Sequence, residues 1–218
     1  MWERYDQTPT KFFHGIDSAP WPDLSLEKYE GVAASVASLE AGYEDIRAEG
    51  LALLNRNGNE GLAYGTMESL AKPTGSDKGG WHAKKLDCKD AKKRSETPLT
   101  CEVIDRTRRE AGEIFTAQFL RLQPGTYLRP HCGEGNFRWV VHLGLEGLAG
   151  TKITVAGEQR PWLHKKCIVF DDSYRHSVVH EGSEDRVVLA LQIPNPEYMK
   201  KVKLGELDSF ITGDSRLD

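Results

Sequence analysis

The stretch that decides how this chain folds runs from Arg129 to Leu145 and reads RPHCGEGNFRWVVHLGL. It opens with a Pro-His step, passes through a glycine-rich turn and leaves as an alternating strand, with His131 near its start and His142 near its end. A second stretch, VFDDSYRHSVVHEGSEDRVVLALQI, follows from Val169 to Ile193 and again places a histidine ahead of an apolar strand. We interpret the two stretches as two walls of one metal-binding pocket.

The strand that leaves the glycine-rich turn has two different faces. Side chains alternate along a strand, so one face carries Phe137, Trp139 and Val141. The opposite face carries Asn136, Arg138, Val140 and His142. Solvation of this polar face is one explanation, but the second stretch argues against it, because Arg186 begins a strand that is otherwise apolar. A buried arginine needs a compensating partner, and a carboxylate that accepts two hydrogen bonds is the natural one.

Short strands dominate the chain beyond Gly112. The strand candidates are EIFTAQFLRLQPG, TYLRPH, NFRWVVHLGL, TKITV, CIVFDD and RVVLALQI, and turn residues separate them. A series of short strands with frequent turns predicts an antiparallel barrel or jelly roll. The predicted fold class is therefore α+β, mainly β: a double-stranded β-helix, or jelly roll, with N-terminal helices packed against it.

The N-terminal half has a different character. Residues 1–23 are rich in aromatic residues and proline, and we expect them to form an extended arm on the domain surface. Apolar residues then recur at helical spacing from Tyr29 to Ile46, which predicts one amphipathic helix. That helix is expected to end near Gly50 or one turn later at Leu54.

Residues 55–98 lack periodicity and contain many glycines, asparagines and lysines. So long a loop in a compact domain is usually functional, and we expect it to form a lid or a substrate-contacting surface. Trp81 within it is either a contact residue or a packing residue. Residues 100–111 are expected to form a short helix.

The chain has 218 residues, which suits one well-buried domain and is short for two. We predict a single domain over 1–218, with an arm, helix and long loop at 1–111, a jelly-roll core at 112–198 and a tail at 199–218. The net charge is −4 and basic residues are not clustered into a footprint for nucleic acid. No apolar run suits a membrane helix or a signal peptide, so a cytoplasmic location is expected by default.

The four cysteines do not make a disulfide scaffold, and no Cys-x-x-Cys pair marks a zinc site. Cys88 and Cys101 lie in one loop-rich region and are candidates for a bridge. Reduced thiols are at least as favoured in a chain that shows no export signal. The sequence leaves the state of this pair open.

His131 and His176 are the candidate metal ligands. Two histidines on facing strands, followed by an arginine on the next strand, resemble the arrangement in Fe(II)- and 2-oxoglutarate-dependent oxygenases. Imidazole suits Fe(II), and open coordination positions take 2-oxoglutarate and O2. The usual pattern is His-x-Asp/Glu, whereas Gly133 occupies the third position here, so the expected carboxylate is missing.

The resemblance becomes specific at PGTYLRPHCGEGNFRWVVHLGL, Trp162, VFDDSYRHSVV and EDRVVLALQIPNPEY. These stretches resemble the aspartyl/asparaginyl β-hydroxylase family, in which two histidines hold the iron and a glycine stands where the carboxylate would be. His131-Cys132-Gly133 reproduces that replacement, so the missing carboxylate supports the resemblance. The similarity extends more weakly upstream, through FFHGIDSAPW, SLEAGYEDIRAEGLALLN, GGW and PLTC, and is strong from Pro124 to Tyr198.

The resemblance implies a role for each site residue. His131 and His176 correspond to the iron ligands, and Arg186 corresponds to the residue that binds the distal carboxylate of 2-oxoglutarate. His142 corresponds to a histidine that lines the cofactor pocket.

Three further roles follow from the same resemblance. Asp172 corresponds to an aspartate near the metal that holds a bound water as an outer-shell group. Arg138 and Asn136 lie where substrate or cofactor is contacted, and substrate is favoured for Arg138.

Three positions depart from the family's pattern. Val140 stands where the family typically has a second arginine, and Leu120 where a small polar residue is expected near the cofactor carboxylate. Lys165 replaces a glycine in the turn before the FDD strand. The first two departures alter the pocket, which argues against hydroxylation of the family's best-known substrates.

The remaining histidines have simpler explanations. Surface positions are expected for the loop histidines His14, His82 and His164. His180 is a rival ligand, but a strand or turn would not keep it on the same face as His176. Cys132 adjoins a ligand, yet the alternation of side chains points it away from His131.

The predicted function is hydroxylation that uses Fe(II), 2-oxoglutarate and O2 and releases succinate and CO2. The expected substrate is an Asp/Asn-type residue in a peptide or protein, or a free amino acid. Two alternatives stay open. A cupin-type metalloenzyme would normally show His-x-His with a following Glu, and a non-catalytic jelly-roll binding module would show a damaged metal pair or a missing arginine. The substrate, the third coordination position and the oligomeric state are left open.

Overall fold

The structure is a computed structural model that describes residues 7–56, 71–73, 80–206 and 211–212. The helices are α1 (Glu30–Ala41), α2 (Tyr43–Arg56), α3 (Ala91–Arg94), α4 (Pro98–Ala111) and α5 (Pro196–Leu204). The strands are β1 (Lys11–Phe12), β2 (Ala71–Pro73), β3 (Trp81–Lys85), β4 (Thr116–Leu122), β5 (Thr126–His131), β6 (Arg138–Glu146), β7 (Thr151–Val155), β8 (Glu158–Pro161), β9 (Cys167–Phe170), β10 (His176–His180), β11 (Arg186–Pro194) and β12 (Ile211–Thr212). The start of the predicted arm, much of the predicted long loop and the end of the predicted tail lie outside the described residues.

Two five-stranded antiparallel sheets form the jelly roll, and β1 pairs with β12 in a separate two-stranded sheet. The first sheet has the strand order β2-β5-β10-β7-β8, and the second has the order β3-β4-β11-β6-β9. The chain crosses repeatedly between the two sheets, which is the path of a jelly roll. The predicted α+β, mainly β, jelly roll with N-terminal helices packed against it is confirmed. The division of the chain at residues 111 and 198 stays a prediction.

The second sheet separates two hydrophobic cores. On β6, Trp139 and Val141 pack in one core with residues of α1, α2 and α4, whereas Val140 packs in the other core between the sheets. Strand β11 alternates in the same way. Its helix-facing residues are Val187, Leu189 and Leu191, and its inward-facing apolar residues are Val188 and Ala190. The alternation expected from the sequence therefore produces a sheet with a helical layer on one face and the pocket on the other.

The prediction of one continuous helix after Tyr29 is wrong. Helix α1 ends at Ala41 and α2 begins at Tyr43, with Gly42 between them. A Cβ atom at Gly42 would lie 2.7 Å from a methyl carbon of Val103 on α4, so glycine permits a close approach at the break. The apolar stripe itself is buried as expected, at Tyr29, Val32, Leu39, Tyr43 and Ile46.

Helix α4 begins slightly before the predicted short helix. Its first turn is capped by α2, because the Glu49 carboxylate accepts hydrogen bonds from the backbone N–H groups of Leu99 (2.9 Å) and Thr100 (2.7 Å). This carboxylate satisfies N–H groups that have no partner within the helix and complements the helix dipole. Cys88 and Cys101 form a disulfide that ties the segment before α3 to α4, which answers the question that the sequence left open.

The described part of the N-terminal arm lies extended and contacts turns of the jelly roll. Isolated backbone bridges pair Gln7 with Tyr174 and Lys11 with Gly135. Trp81 is 6% exposed and packs in the core between the sheets, so its packing role is favoured over a contact role. Within the described ranges, no helix combines the length and the apolar character needed to span a bilayer. The cytoplasmic location stays a prediction.

Candidate active site

The two candidate ligands lie side by side on the first sheet. His131 ends β5 and His176 begins β10, and the two residues are paired across these antiparallel strands. Their ring centroids are 4.2 Å apart. The sheet register therefore brings together two imidazoles that are far apart in sequence.

Hydrogen bonds fix the tautomer of both imidazoles. Nδ1 of His131 lies 2.6 Å from the Arg129 carbonyl oxygen, and Nδ1 of His176 lies 2.8 Å from the Tyr174 carbonyl oxygen. A carbonyl only accepts, so Nδ1 carries the hydrogen in each ring and Nε2 keeps its lone pair. An imidazole in this state is a metal ligand, and a bond from its other nitrogen orients the ring.

Desolvation keeps both imidazoles neutral. It lowers the pKa of His176 to about 3, and the nearby His131 ring contributes to the same shift. Desolvation also lowers the pKa of His131, which the hydrogen bond to Arg129 opposes. Two neutral imidazoles can accept a cation, whereas two imidazolium ions would repel it.

Gly133 is a glycine because the Asp172 carboxylate fills the space of its side chain. A Cβ atom at position 133 would lie 2.2 Å from Oδ2 of Asp172. The Gly133 N–H donates to the Asp172 carbonyl oxygen at 2.5 Å, which joins the two loops that carry the histidines. Burial raises the pKa of Asp172 to about 6, and its Oδ1 atom has no hydrogen-bond partner among the described residues. A buried carboxylate thus occupies the space in which a side chain at position 133 would begin.

Replacing Gly133 with alanine is expected to lower the free energy of unfolding by about 2 kcal/mol, because the added methyl group would overlap the Asp172 carboxylate. In the Asp172→Ala protein the overlap is absent. Adding Gly133→Ala to that protein should therefore lower the free energy of unfolding much less than it does in the wild-type protein. Chemical denaturation of the four proteins gives the coupling energy. Additive losses would mean that the two side chains do not compete for this space.

Arg138 faces the same carboxylate. Its guanidinium donates to Oε2 of Glu134 at 3.2 Å and to Oδ2 of Asp172 at 3.4 Å. The side chain is 14% exposed, and its Nε atom has no hydrogen-bond partner within the described ranges. Arg138 therefore retains donor capacity beside Asp172, which is compatible with the predicted contact to a substrate anion.

Asn136 is fully buried and its amide is engaged with the N-terminal arm. Its Oδ1 atom accepts from the Phe13 N–H at 3.0 Å, and its Nδ2 atom donates to the Phe13 carbonyl at 3.0 Å. These bonds give Asn136 a structural task. Its predicted contact with substrate or cofactor stays a prediction.

Arg186 lies inside the pocket without an acidic partner in the described part of the chain. Its side chain is 1% exposed, and its Nε and Nη1 atoms have no hydrogen-bond partner among the residues that the structure describes. The guanidinium carbon lies 4.8 Å from the centroid of the Trp162 ring. Burial lowers the pKa of Arg186 to about 9. A buried cation with unused donors is a site prepared for an anion, and the planar guanidinium matches a carboxylate.

His142 connects the arginine to the histidine pair. Its ring stacks on Trp162, with centroids 6.0 Å apart and an interplanar angle of 20°. The Phe170 ring lies between His142 and His176, at centroid distances of 5.4 and 5.6 Å. Burial, followed by the charge of Arg186, holds the pKa of His142 well below its usual range. A neutral His142 adds a hydrogen-bonding group to the pocket wall without further charge.

The rival ligand His180 has both ring nitrogens engaged. Its Nε2 atom lies 2.7 Å from the Glu184 carbonyl and must donate, so Nδ1 accepts from the Thr151 hydroxyl at 2.7 Å. No lone pair is left for a metal. Of the histidines that the sequence placed in loops, His14 and His164 are exposed. The expectation for His82 is wrong, because it lies on strand β3 and is half-buried.

Several pocket residues were missed by sequence reasoning about function. Glu134 pairs with Arg138, and Phe170 separates His142 from His176. Trp162 supports both Arg186 and His142, although the sequence shows only a tryptophan in a turn. The alternation of strand β9 could have indicated Phe170, since it faces inward in register with Val140.

The donor set fits a metal that brings its own further ligands. Across the described ranges, no group of three or more His, Cys, Asp and Glu side chains forms a metal-binding cluster. Two neutral imidazoles with free Nε2 atoms suit an ion whose other positions are filled by water or small molecules. The partnerless donors of Arg186 suit a carboxylate among those molecules. Fe(II) and 2-oxoglutarate together have this composition.

These features define the protein as a double-stranded β-helix with a candidate metal pocket between its sheets. Its sequence identifies a family more specifically than its architecture does. The chain belongs to the aspartyl/asparaginyl β-hydroxylase family, whose sequence profile matches residues 40–196. The resemblance stated from the sequence is confirmed.

Curated relatives carry the same family name. The aspartyl/asparaginyl β-hydroxylase of Homo sapiens is 31% identical over 198 residues, which covers 84% of this chain and 24% of that protein. Aspartate β-hydroxylase domain-containing protein 2 of Mus musculus is 35% identical over 111 residues, covering 45% of this chain and 32% of its own length. Among solved structures, a Pseudomonas putida prolyl-4-hydroxylase aligns with 70% of this chain and 87% of its own at 16% identity and a TM-score of 0.46.

Proposed function

We propose that this protein is an Fe(II)- and 2-oxoglutarate-dependent hydroxylase. The observation that carries the proposal is the pair of neutral imidazoles, His131 and His176, in one pocket with a buried arginine that lacks an acidic partner in the described part of the chain. Membership of a hydroxylase family supports it. When bound, Fe(II) with 2-oxoglutarate and O2 supplies the oxidation that converts a substrate C–H bond to an alcohol and yields succinate and CO2.

The chain's own residues bind and orient the reactants. His131 and His176 hold the metal through Nε2. Arg186 binds the distal carboxylate of 2-oxoglutarate, and Trp162 keeps its guanidinium in place from one side. His142 offers a hydrogen bond along the pocket wall, and Asp172 accepts one from a water near the metal. The protein thus positions the reactants and supplies complementary charge, whereas the metal and the cosubstrate supply the redox chemistry.

Apolar side chains around the pocket keep bulk water out. The inward-facing members of the core between the sheets include Leu120, Leu122, Val140, Val188 and Ala190. A dry, low-dielectric pocket strengthens the attraction between Arg186 and a bound carboxylate. It also protects the reacting centre from side reactions with water.

The proposed substrate is an Asp/Asn-type residue in a peptide or protein, or a free amino acid. Arg138 is the proposed contact for a substrate carboxylate, because it lies against Asp172 and its Nε atom has no hydrogen-bond partner in the described part of the chain. Val140 and Leu120 make the surrounding wall apolar. A second arginine at position 140 would favour a substrate with an additional anionic group. The apolar wall present here favours a substrate that lacks that group.

Release of succinate in the presence of a panel of peptides and amino acids tests the proposed function. Hydroxylated product should form in equal amount with succinate for a true substrate, and only with Fe(II), 2-oxoglutarate and O2 together. A cupin-type enzyme would turn over without 2-oxoglutarate, and a binding module would retain peptide without producing succinate. Either of those results would refute the proposal.

A further inference from the structure

A buried network of hydrogen bonds joins the N-terminal arm to the turn that precedes His176. We call residues Asp171–Tyr174 the ligand turn. Asp171 is fully buried, and its carboxylate accepts from the Ser18 hydroxyl (2.5 Å), the Ser173 N–H (2.9 Å) and the Ser173 hydroxyl (2.5 Å). Gln7, which is 2% exposed, donates to the Ser173 hydroxyl at 2.7 Å. Two side chains of the arm therefore bind the ligand turn inside the protein.

Backbone contacts strengthen the same attachment. The Asp171 N–H donates to the Pro20 carbonyl at 3.1 Å, and Gln7 forms a backbone bridge with Tyr174. The Tyr174 hydroxyl donates to the Ser18 carbonyl at 3.1 Å. The arm thus holds the ligand turn at its first and last residues.

The last residue of the ligand turn orients the metal ligand. The Tyr174 N–H donates to the Asp171 carbonyl at 3.3 Å, and the Tyr174 carbonyl accepts from Nδ1 of His176 at 2.8 Å. The direction of the His176 ring therefore depends on where this carbonyl lies. The ligand turn connects β9 of one sheet to β10 of the other, so only its flanks are set by strand pairing.

We propose that the N-terminal arm positions the metal ligand His176 through this network, with Gln7, Ser18 and Asp171 as positioning residues. The inference rests on the proposed function, since it assigns His176 to a metal. A polar network is a specific means of attachment, because each hydrogen bond fixes a direction as well as a distance. Burial of the Asp171 carboxylate also costs free energy unless its hydrogen bonds are complete. Conformations in which the arm is detached from the ligand turn are therefore strongly disfavoured.

The arm reaches the other side of the pocket as well. The Lys11 amino group pairs with Glu134 at 2.5 Å, and Glu134 in turn pairs with Arg138. The Lys11 N–H donates to the Glu134 carbonyl at 2.8 Å. One segment of the chain therefore supports the residues on both sides of the Gly133–Asp172 contact.

Metal affinity of arm variants tests the proposal. In the Gln7→Ala/Ser18→Ala double variant, neither changed residue belongs to the pocket. We expect its dissociation constant for Mn(II), measured by anaerobic calorimetry, to rise about tenfold, the lower end of the effect of outer-shell partners. The absorption spectrum of the Co(II)-loaded variant should shift, because the ring of His176 is less well oriented.

Two controls separate positioning from general stability. Ser18→Thr retains a hydroxyl, and Ser25→Ala removes a hydroxyl that bonds to the exposed Asp23, so both should keep the wild-type Mn(II) affinity. A double variant that unfolds at a lower temperature but binds Mn(II) with wild-type affinity and spectrum would overturn the positioning role. Failure of the wild-type protein to bind any metal would instead refute the proposed function on which the inference rests.

Discussion

Replacing His176 with alanine is expected to weaken metal binding by more than about 100-fold and to abolish succinate release. The two imidazoles are the whole protein donor set of the proposed centre, so losing one leaves a single ligand. Loss of even an outer-shell partner typically costs 10- to 100-fold in metal affinity, and loss of a ligand should exceed that. Anaerobic calorimetry with Mn(II) and a succinate assay measure both effects.

His164→Ala is the matched control for this variant. Its imidazole is exposed and makes a long contact of 3.4 Å with the Tyr43 hydroxyl. It should bind metal as the wild-type protein does. Wild-type metal affinity in His176→Ala would remove His176 from the centre and with it the proposed pocket.

Replacing Arg186 with methionine is expected to have opposite effects on stability and on cosubstrate binding. The pocket holds a buried guanidinium with two nitrogen atoms that have no hydrogen-bond partner among the described residues, and burial lowers its pKa to about 9. Both folded and unfolded chains carry this charge at neutral pH, so the folded state bears the full cost of burying it. Methionine should therefore raise the free energy of unfolding of the ligand-free protein by about 1 to 4 kcal/mol.

The same variant should bind 2-oxoglutarate at least about 30-fold more weakly, which corresponds to about 2 kcal/mol. Thermal unfolding without ligand and calorimetry with 2-oxoglutarate on the Mn(II)-loaded protein measure the two effects. Arg109→Met on the exposed side of α4 is the control and should change neither. Unchanged affinity for 2-oxoglutarate in Arg186→Met would show that another group binds the distal carboxylate.

Periodicity was sufficient to predict most of the jelly-roll strands, but not β3, which lies in the 55–98 segment that was expected to be a loop. The alternation from Asn136 to His142 is local, and a sheet with a helical layer on one face follows from it directly. The helix break at Gly42 could not be predicted in this way, because its cause is the close approach of Val103 from a helix much later in the chain. The pattern of a short segment indicates which secondary structure that segment can form. The residue that interrupts the structure can be distant in sequence, as Val103 is from Gly42.

The candidate site shows the same limit. Residue types and their order were enough to select His131, His176 and Arg186, since few side chains can serve as neutral ligands or as a buried cation. The reason for Gly133 lies in Asp172, and the task of Asn136 lies in Phe13, and both partners are distant in sequence. The state of Cys88 and Cys101 also depended on how the segment before α3 meets α4.

The two histidines share one local arrangement: each ring bonds to the carbonyl of the residue two positions earlier. A main-chain carbonyl is present whatever side chain is attached, so ordinary substitutions at Arg129 leave its acceptor in place, whereas substitutions at the buried Tyr174 also remove its hydroxyl bond to Ser18. In a saturation mutagenesis experiment, tolerance at Arg129 would then be governed by backbone shape. Proline and glycine would be the substitutions most often rejected there. The two ligands would thus differ in tolerance, because one ring is oriented by strand backbone alone and the other by a turn that side chains hold.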